Sequence, residues 1–235
     1  MKTQITTVTF FRYAGWGKKL WALAQMQRAT APLQQIGGLE FFKLMGSGAG
    51  EGFSLRPDFS TYCLFAIWEE EAAARRFFAQ SELFQRFCQQ SEQQWTLYLV
   101  AQRAKGLWAG AQPFRPVPDF RPAGPLIVLT RATIHWRRLR EFWQHVPQSS
   151  EAIQRAEGVL FTKGVGELPW VQQATVSVWE SAAAMRTFAY RNGVHQRIIK
   201  KTKERQWYSE ELFAGFALIG EEGEWTGAPR PSVGR

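Results

Sequence analysis

Apolar residues recur along the chain with two periods, and each period predicts one kind of element. Alternating runs rich in β-branched and aromatic residues predict strands near 5–12, 39–46, 61–68 and 95–101, and again near 126–133, 159–166, 173–179 and 212–219. A period of about 3.6 residues predicts helices over 16–28, 69–94, 136–145 and 180–207, the last interrupted at Asn192-Gly193. The order strand, helix, strand, strand, helix, strand therefore occurs twice.

The two halves also share residues in the same order, which indicates an internal duplication. The aligned pairs include Trp68 with Trp179, Glu69 with Glu180 and Arg75 with Arg186 at an offset of 111, Gly38 with Gly158 and Lys43 with Lys163 at 120, and Arg12 with Arg131 at 119. A β-α-β-β-α-β unit is the ferredoxin-like pattern. We therefore expect an α+β fold of two tandem ferredoxin-like βαββαβ repeats, packed sheet to sheet with the helices outside.

A proline-rich segment separates the two repeats. Five of the 11 prolines lie between Pro113 and Pro125, too many for a helix or a central strand. We therefore expect an N-terminal repeat over 1–109, a linker over 110–124 and a C-terminal repeat over 125–225. The remainder, 226–235, is rich in Gly, Pro and Ser without a periodic pattern, and is expected to be a flexible tail.

Composition narrows the classes of function. Of the 235 residues, 45% are hydrophobic and 21% charged, which excludes a disordered chain. Two cysteines and three histidines exclude a disulfide scaffold, a cysteine-rich metal cluster and a multi-histidine cage. The 11 tryptophans suggest large flat surfaces that face a core, a cofactor or an apolar ligand. The net charge of +9, without a run long enough to span a bilayer, predicts a cytoplasmic protein with an acidic partner.

One histidine stands on a predicted packing face. A helical stripe of the first repeat, Phe84, Phe87, Cys88 and Ser91, aligns with His195, Ile198, Ile199 and Thr202 in the second. An imidazole that replaces Phe84 on a buried face needs a partner for its nitrogens. Either His195 bonds a backbone carbonyl, or it is the single axial ligand of a heme, which a lone histidine suits better than zinc. His135 and His145 fit surface or helix-capping roles.

Basic residues recur inside the apolar strands of both repeats, as Arg12 with Arg131 and Lys43 with Lys163. A buried base is costly unless it is paired. Arg131 and Lys163 therefore either form inter-strand ion pairs or donate to a heme propionate or to bound oxygen. The glycine-rich segment 46–52 does not match a nucleotide-binding pattern; it is either a hairpin loop or a close approach to a bulky ligand.

Several motifs resemble those of the spheroidene monooxygenase family, which are bacterial acyclic-carotenoid 2-ketolases. The motifs lie at 41–53 (FFKLMGSGAGEGF), 129–133 (LTRAT), 161–169 (FTKGVGELP), 178–185 and 210–214, with His195 between the last two, and the resemblance spans about 5–225. The family's implied architecture is the dimeric α/β-barrel, shared with heme proteins such as chlorite dismutases, dye-decolorising peroxidases and aldoxime dehydratases. Their proximal histidine lies on the second helix of the C-terminal repeat, where His195 falls.

The resemblance implies a heme b cofactor with His195 as the iron ligand. Further cofactor contacts are expected from Trp179, Ile198 and Ile199, and catalytic roles are expected for Arg131, Lys163 and Glu167, the carboxylate that ends Lys163-Gly164-Val165-Gly166-Glu167.

The activity implied is oxidation of C2 of spheroidene-like acyclic carotenoids, with O2 and electrons from a ferredoxin. The alternatives are a heme dehydratase or peroxidase on the same fold, or a non-catalytic heme- or carotenoid-binding protein. A nucleic-acid partner is not expected, because 213–216 lacks the Lys/Arg-Gly that opens an RNP1 strand. A water-insoluble substrate implies peripheral contact with the inner membrane, expected through Arg197, Lys200, Lys201, Lys203 and Arg205, and a homo-oligomer is left open.

Overall fold

The structure, a computed structural model, describes residues 2–50, 56–120, 124–191 and 193–228, without the side chains of 194 and 195. The first half contains β1 (Ile5–Arg12), α1 (Trp16–Arg28), α2 (Thr30–Gln34), β2 (Leu39–Gly48), β3 (Pro57–Trp68), α3 (Glu71–Gln80), α4 (Glu82–Gln90) and β4 (Gln93–Gly106). The second half contains β5 (Leu126–Ile134), a 3-10 turn (Trp136–Arg138), α5 (Leu139–Gln154), β6 (Val159–Leu168), β7 (Gln172–Trp179), α6 (Ala182–Arg191), α7 (Gly193–Arg205) and β8 (Tyr208–Gly223).

The strands close into one antiparallel barrel in the order β1-β3-β2-β6-β7-β5-β8-β4. Each half contributes four neighbouring strands, and the halves meet at two seams, β2 with β6 and β4 with β8. Closure leaves no free sheet edge. The predicted fold class, an α+β barrel of two ferredoxin-like repeats, is confirmed, while the repeat boundaries at 109 and 125 stay predictions.

The duplication is visible in one tight contact that occurs twice. Gly38 and Gly158 both have positive φ, +79° and +76°, and a Cβ on either would lie 2.6 Å from the methyl group of Ala73 or Ala184. The carbonyl of each glycine accepts a hydrogen bond from the N–H that follows the third-strand tryptophan, at 2.9 Å in the first repeat and 2.8 Å in the second. Both glycines are therefore required by the same close approach of helix to strand.

Three predicted elements have different limits in the structure. The helix expected over 69–94 is two helices, because Ser81 leaves the helical conformation and its hydroxyl accepts from the N–H of Phe84 at 3.4 Å. The helix expected over 136–145 continues to Gln154 through Pro147, whose missing hydrogen bond is offset by a buried apolar face. The strands β4 and β8 are longer than expected because they pair with each other from Trp95 opposite Gly223 to Gly106 opposite Leu212.

The barrel interior is packed by apolar side chains from all strands, so it forms a core and not a pore. Its largest members include Phe10, Phe65, Trp95, Trp108 and Phe216. Trp108 and Phe114 insert from the segment after β4, and Trp225 packs on Phe10 at 5.8 Å. The helices cover the outer face of the sheet. Among the described helices, none is both long and apolar enough to cross a bilayer.

Candidate functional site

The first repeat fills the space between its sheet and its helices α3 and α4 with aromatic rings. Phe11 and Tyr98 come from the sheet, and Phe78, Phe84 and Phe87 come from the helices; all five are buried. The ring centres lie 5.5 Å apart for Tyr98 and Phe78, 4.8 Å for Phe78 and Phe84, 6.1 Å for Phe84 and Phe11, and 5.2 Å for Phe11 and Phe87. We call these five side chains the aromatic stack.

The second repeat lacks this stack. Trp68 pairs with Ile5, and Trp179 pairs with Leu126, so the strands of the two repeats can be aligned on these pairs. The helices α6 and α7 follow Trp179 in the same way as α3 and α4 follow Trp68. Five residues of the second repeat then occupy the positions of the aromatic stack: Ala132 that of Phe11, Ala189 that of Phe78, His195 that of Phe84, Ile198 that of Phe87 and Gly215 that of Tyr98. We call the region that these five second-repeat positions bound the cleft. Compared with the aromatic stack, these five positions carry smaller side chains, one of which is an imidazole.

The sheet under the cleft has one exposed residue among buried neighbours such as Val128 and Ala132. Thr130 is exposed although its strand, β5, runs between β7 and β8. Thr175, opposite Thr130 in the register, has a buried hydroxyl without a hydrogen-bond partner among the described residues. The apolar packing on this face is split into two clusters, one around Trp207 and one around Trp179, where the first repeat has one. A ligand seated here would occupy the gap between the clusters.

The four residues predicted to contact a cofactor occupy different places around the cleft. Trp179 is buried beside Met185, with its ring centre 5.3 Å from that of Phe188. Ile198 is half-buried against the cluster around Trp207, whereas Ile199 is 40% exposed and does not share the buried stripe expected for it. His195 belongs to α7, but its side chain lies outside the described residues, so its role as an iron ligand stays a prediction.

A cavity of about 390 Å³ adjoins the cleft. Two arginines from different repeats line it, Arg103 of β4 and Arg186 of α6, together with Leu126, Met185 and Ala217. The guanidinium of Arg103 lies 4.9 Å from the ring centre of Phe213, which is opposite Thr130 in the register. Arg103 therefore lies between the cavity and the part of the sheet that contains Phe213 and Thr130.

Arg131 points into the barrel and away from α6 and α7. It is only 4% exposed and forms an ion pair with Glu210. Its second carboxylate neighbour is Glu167, at 3.6 Å, which also accepts a hydrogen bond from the indole N–H of Trp108 at 2.6 Å and pairs with Lys43 at 2.6 Å. This arrangement agrees with the interpretation as inter-strand ion pairs. The register also corrects the repeat alignment, because Phe10 and not Arg12 corresponds to Arg131.

The carboxyl group of Glu210 is held ionised by its surroundings. Burial acts to raise its pKa, but the backbone N–H groups of Gly110 at 2.7 Å and Ala109 at 3.1 Å, together with the charge of Arg131, outweigh burial. The pKa of Glu210 therefore lies below its ordinary value.

Lys163 crosses the seam between β2 and β6. Its ammonium donates to the carbonyls of Gly48 at 3.2 Å and Gly50 at 2.8 Å, and lies 3.6 Å from Asp58. Burial acts to raise the pKa of Asp58, but hydrogen bonds from Ser60 and the charge of Lys163 lower it below its ordinary value. Gly48 and Gly50 close the described part of the glycine-rich segment; its residues from 51 on lie outside the described residues.

The structure therefore separates the two groups of predicted site residues. Arg131, Lys163 and Glu167 lie on the interior face of the sheet, and α7, which carries His195, packs on the outer face. The partners Lys43, Asp58 and Glu210 could not be assigned from the sequence, although the repeated lysine was a signal for the first. The cleft as a whole was not evident from the sequence, because the aligned helical stripe contains only two of its five replaced rings, Phe84 and Phe87.

The two other histidines have structural contacts. His135 is exposed before the 3-10 turn, as expected for a surface residue. His145 is half-buried: its Nδ1 lies 2.8 Å from the carbonyl oxygen of Glu141 and its Nε2 lies 2.7 Å from the ammonium of Lys201. Lys201 therefore joins α7 to α5, and is half-buried instead of facing solvent as predicted.

Comparison with solved structures defines the class of fold. An aldoxime dehydratase in complex with butyraldoxime matches with a TM-score of 0.63 and 10% identity, over 94% of this chain and 82% of that chain. Another aldoxime dehydratase matches with a TM-score of 0.61 and 10% identity, over 92% and 81%. These likenesses place the chain in one fold class with these enzymes. No family model matches the chain.

Three curated relatives are each named spheroidene monooxygenase. That of Cereibacter sphaeroides is 36% identical over 95% of this chain and 69% of its own length, and that of Rhodobacter capsulatus 34% over 95% and 93%. That of Rubrivivax gelatinosus is 36% identical over 89% of this chain and 80% of its own length. The chain belongs to the spheroidene monooxygenase family, and it is an enzyme of the oxygenase class.

Proposed function

We propose that this enzyme is a heme-dependent monooxygenase that oxidises a long apolar substrate, at C2 of a spheroidene-like acyclic carotenoid, with O2 and electrons from a ferredoxin. The reaction class and substrate are drawn from the three named relatives. The observation that carries the cofactor is the replacement of the aromatic stack by Ala132, Ala189, His195, Ile198 and Gly215. The smaller side chains at these positions favour contact with a planar apolar group in place of the aromatic rings of the first repeat.

The residues around the cleft fit a heme b. His195 of α7 would hold its iron, and Trp179, Ile198 and Phe213 would provide apolar contacts. The hydroxyl of Thr130 and the unpartnered hydroxyl of Thr175 offer polar groups on the sheet side. When bound, the heme supplies the iron that activates dioxygen, and the protein supplies ligand, orientation and exclusion of water.

We assign Arg131, Lys163 and Glu167 an indirect role in catalysis as positioning residues. Their charges are satisfied within the barrel, so they do not reach across the sheet to the cleft. By fixing β5 and β6 from the inside, they hold the outward residues of the same strands, Thr130 among them, in place. Neutral substitutions are then expected to lower activity more than they lower folding stability.

The substrate also determines where the enzyme works. An acyclic carotenoid partitions into membranes, so we propose a cytoplasmic enzyme in peripheral contact with the inner membrane.

The absorption spectrum of the purified holoenzyme tests the cofactor assignment. The wild-type protein is expected to show a Soret band, and His195→Ala is expected to lose it or shift it strongly. His135→Ala and His145→Ala are the matched controls and should keep the wild-type spectrum. A His195→Ala protein with unchanged heme content and spectrum would overturn the assignment.

Turnover tests the reaction itself. Incubation of the holoenzyme with spheroidene, ferredoxin and reductant under ¹⁸O₂ should place ¹⁸O in the product. Conversion of spheroidene without oxygen, or oxygen taken from water at the first oxidation, would contradict a monooxygenase.

A further inference from the structure

Arg75 of α3 is held in the first repeat by three groups. Its guanidinium lies 3.9 Å from the ring centre of Tyr98. It donates to Glu71 at 3.0 and 3.1 Å and to Glu222 at 2.5 Å. The charge of this arginine is therefore satisfied by two carboxylates and an aromatic face.

Arg186 is the aligned arginine of α6, and its corresponding partners are missing. Ala182 stands at the position of Glu71, and Gly215 stands at the position of Tyr98. Within the described part of the chain, Arg186 has no carboxylate in ion-pair range. The second repeat therefore has the arginine but lacks the residues that neutralise its charge in the first repeat.

Arg103 lies in the space that Gly215 leaves. A Cβ at Gly215 would be 3.2 Å from Nε of Arg103, so a larger residue would displace this side chain. Arg103 likewise has no carboxylate in ion-pair range among the described residues. Because Arg103 and Arg186 line one cavity with Leu126 and Met185, they present two guanidinium groups beside an apolar surface. Both arginine side chains are exposed at this cavity, where a guanidinium can bind a carboxylate through two parallel hydrogen bonds.

We propose that Arg103 and Arg186 bind the two carboxylates of the cofactor seated in the cleft, the propionates of a heme. The identity of the cofactor rests on the proposed function, whereas the preference for an anion rests on the positive charge of the two arginines that line the cavity. The pair fixes the in-plane orientation of the ring, because one side of the macrocycle carries both carboxylates and the other sides are apolar.

Titration of the full-length apoprotein with hemin and with hemin dimethyl ester tests this assignment. The ester has the same ring and iron but no carboxylates. The wild-type protein should bind hemin about tenfold or more tightly than the ester, equivalent to about 1.4 kcal/mol or more. Arg186→Gln and Arg103→Gln should each reduce this preference. Arg75→Gln is the matched control; it should lower the thermal midpoint and leave the preference unchanged.

The outcomes separate this inference from the proposed function. Equal affinity of the wild-type protein for hemin and its ester, or an undiminished preference in the double variant of Arg103 and Arg186, would overturn the anion site and leave heme binding intact. Binding of neither compound would overturn the heme assignment and this site together.

An independent observation concerns the surface of α1. Trp16, Leu20 and Leu23 are 74%, 61% and 45% exposed, and their spacing of i, i+4 and i+7 aligns them on one stripe. The opposite face of α1 already packs on the protein through Trp21 and Ala22. A second apolar stripe is unusual for a helix at a protein surface.

The charge of α1 indicates what covers this stripe. The helix carries Lys18, Lys19 and Arg28 and no acidic residue. The rival basic surface, on α7, is partly neutralised, because Lys200 lies 3.8 Å from Glu204 and Arg205 lies 3.7 Å from Glu141. Exposed tryptophan and leucine flanked by lysine are typical of helices that lie in a membrane interface. We propose that α1 docks on a lipid surface that contains anionic phospholipid.

Co-sedimentation of the holoenzyme with vesicles tests this docking surface. Binding should require phosphatidylglycerol mixed with phosphatidylcholine, and combined Trp16→Ser, Leu20→Ser and Leu23→Ser should weaken it about tenfold or more. The matched control is Tyr190→Ser with Ile199→Ser, which removes exposed apolar residues from α6 and α7. Unchanged binding of the α1 variant, loss of binding only in Lys200→Glu with Lys203→Glu, or α1-dependent binding to ferredoxin but not to vesicles would each overturn the proposal.

Discussion

Arg131 is charged and lies inside an apolar barrel, where neighbouring carboxylates compensate its charge. Its nearest carboxylate, Glu210, is itself anchored by two backbone N–H groups from the segment after β4. The second, Glu167, is shared with Lys43 and Trp108. A buried ion pair of this kind adds little net stability, but the removal of one partner is costly because the other charge stays buried.

Glu210→Gln should therefore destabilise the protein by about 1.5–3 kcal/mol at neutral pH, the usual contribution of a hydrogen bond to a charged group. The pKa of Glu210 is lower in the folded than in the unfolded protein, so its contribution is fully present above the ordinary value of 4.5 and is lost as the pH falls below it. Urea unfolding at a series of pH values should show wild type and variant converging in acid. A gap that persists unchanged would show that the ionised carboxylate is not the cause.

Filling the cleft with the side chains of the first repeat provides a second test at the residue scale. Ala132→Phe with Ala189→Phe restores two rings of the aromatic stack, so heme content should fall while the barrel stays folded. Phe11→Ala is the matched change in the first repeat. It should cost about 3–5 kcal/mol and leave the heme content of the folded protein unaltered. Full heme occupancy in the filled variant would place the cofactor elsewhere.

Among the elements, β2 and β6 form the weaker seam. In the described part of the chain, these strands pair at Gly46 opposite Gly166 and at Ser47 opposite Val165, while β4 and β8 pair along most of their length. Lysine side chains cross the seam in both directions, Lys43 to Glu167 and Lys163 to Gly48. Lys43 and Lys163 therefore connect β2 and β6 through their side chains, where the two strands form few backbone hydrogen bonds.

Lys163→Met should loosen this seam selectively. Loss of the ammonium removes hydrogen bonds to Gly48 and Gly50 and leaves Asp58 without this cation. Amide hydrogen exchange should become faster in β2 and β6 and stay unchanged in β4 and β8. Lys105→Met, at an exposed position of β4, is the control. Acceleration spread equally over both seams would indicate a general loss of stability instead.

Local patterns predicted the elements better than their limits or their relations. Period-two and period-3.6 signals located all eight strands, because each strand has one face in the barrel core. The break at Ser81 and the extension of α5 through Pro147 depend on a cap and on tertiary packing, which periodicity does not contain. The sequence patterns were least informative about which face of the sheet a side chain occupies. Arg131 and Thr130 are neighbours in sequence, yet Arg131 faces the core and Thr130 faces the outer surface.

At the scale of the whole molecule, the two repeats share a backbone but differ in how they cover the outer face of the sheet. The first repeat seals its outer face with five aromatic rings and balances Arg75 with carboxylates. The second repeat keeps the same backbone but replaces the rings and leaves Arg186 without corresponding partners. A site can open in one half because the other half, and the interior that both share, maintain the fold.

The same architecture predicts that neither repeat folds alone. A fragment ending at residue 120 would expose β2 and β4 as free edges, and one starting at 124 would expose β6 and β8, since each seam joins strands from different halves. Expressed separately, both fragments should aggregate or dimerise through these edges. Expressed together, they should recombine into a one-to-one complex with the wild-type circular dichroism spectrum, measured with size-exclusion chromatography and light scattering. A soluble, cooperatively folded monomer of either fragment would show that the repeats are independent domains and that the shared interior is not required for folding.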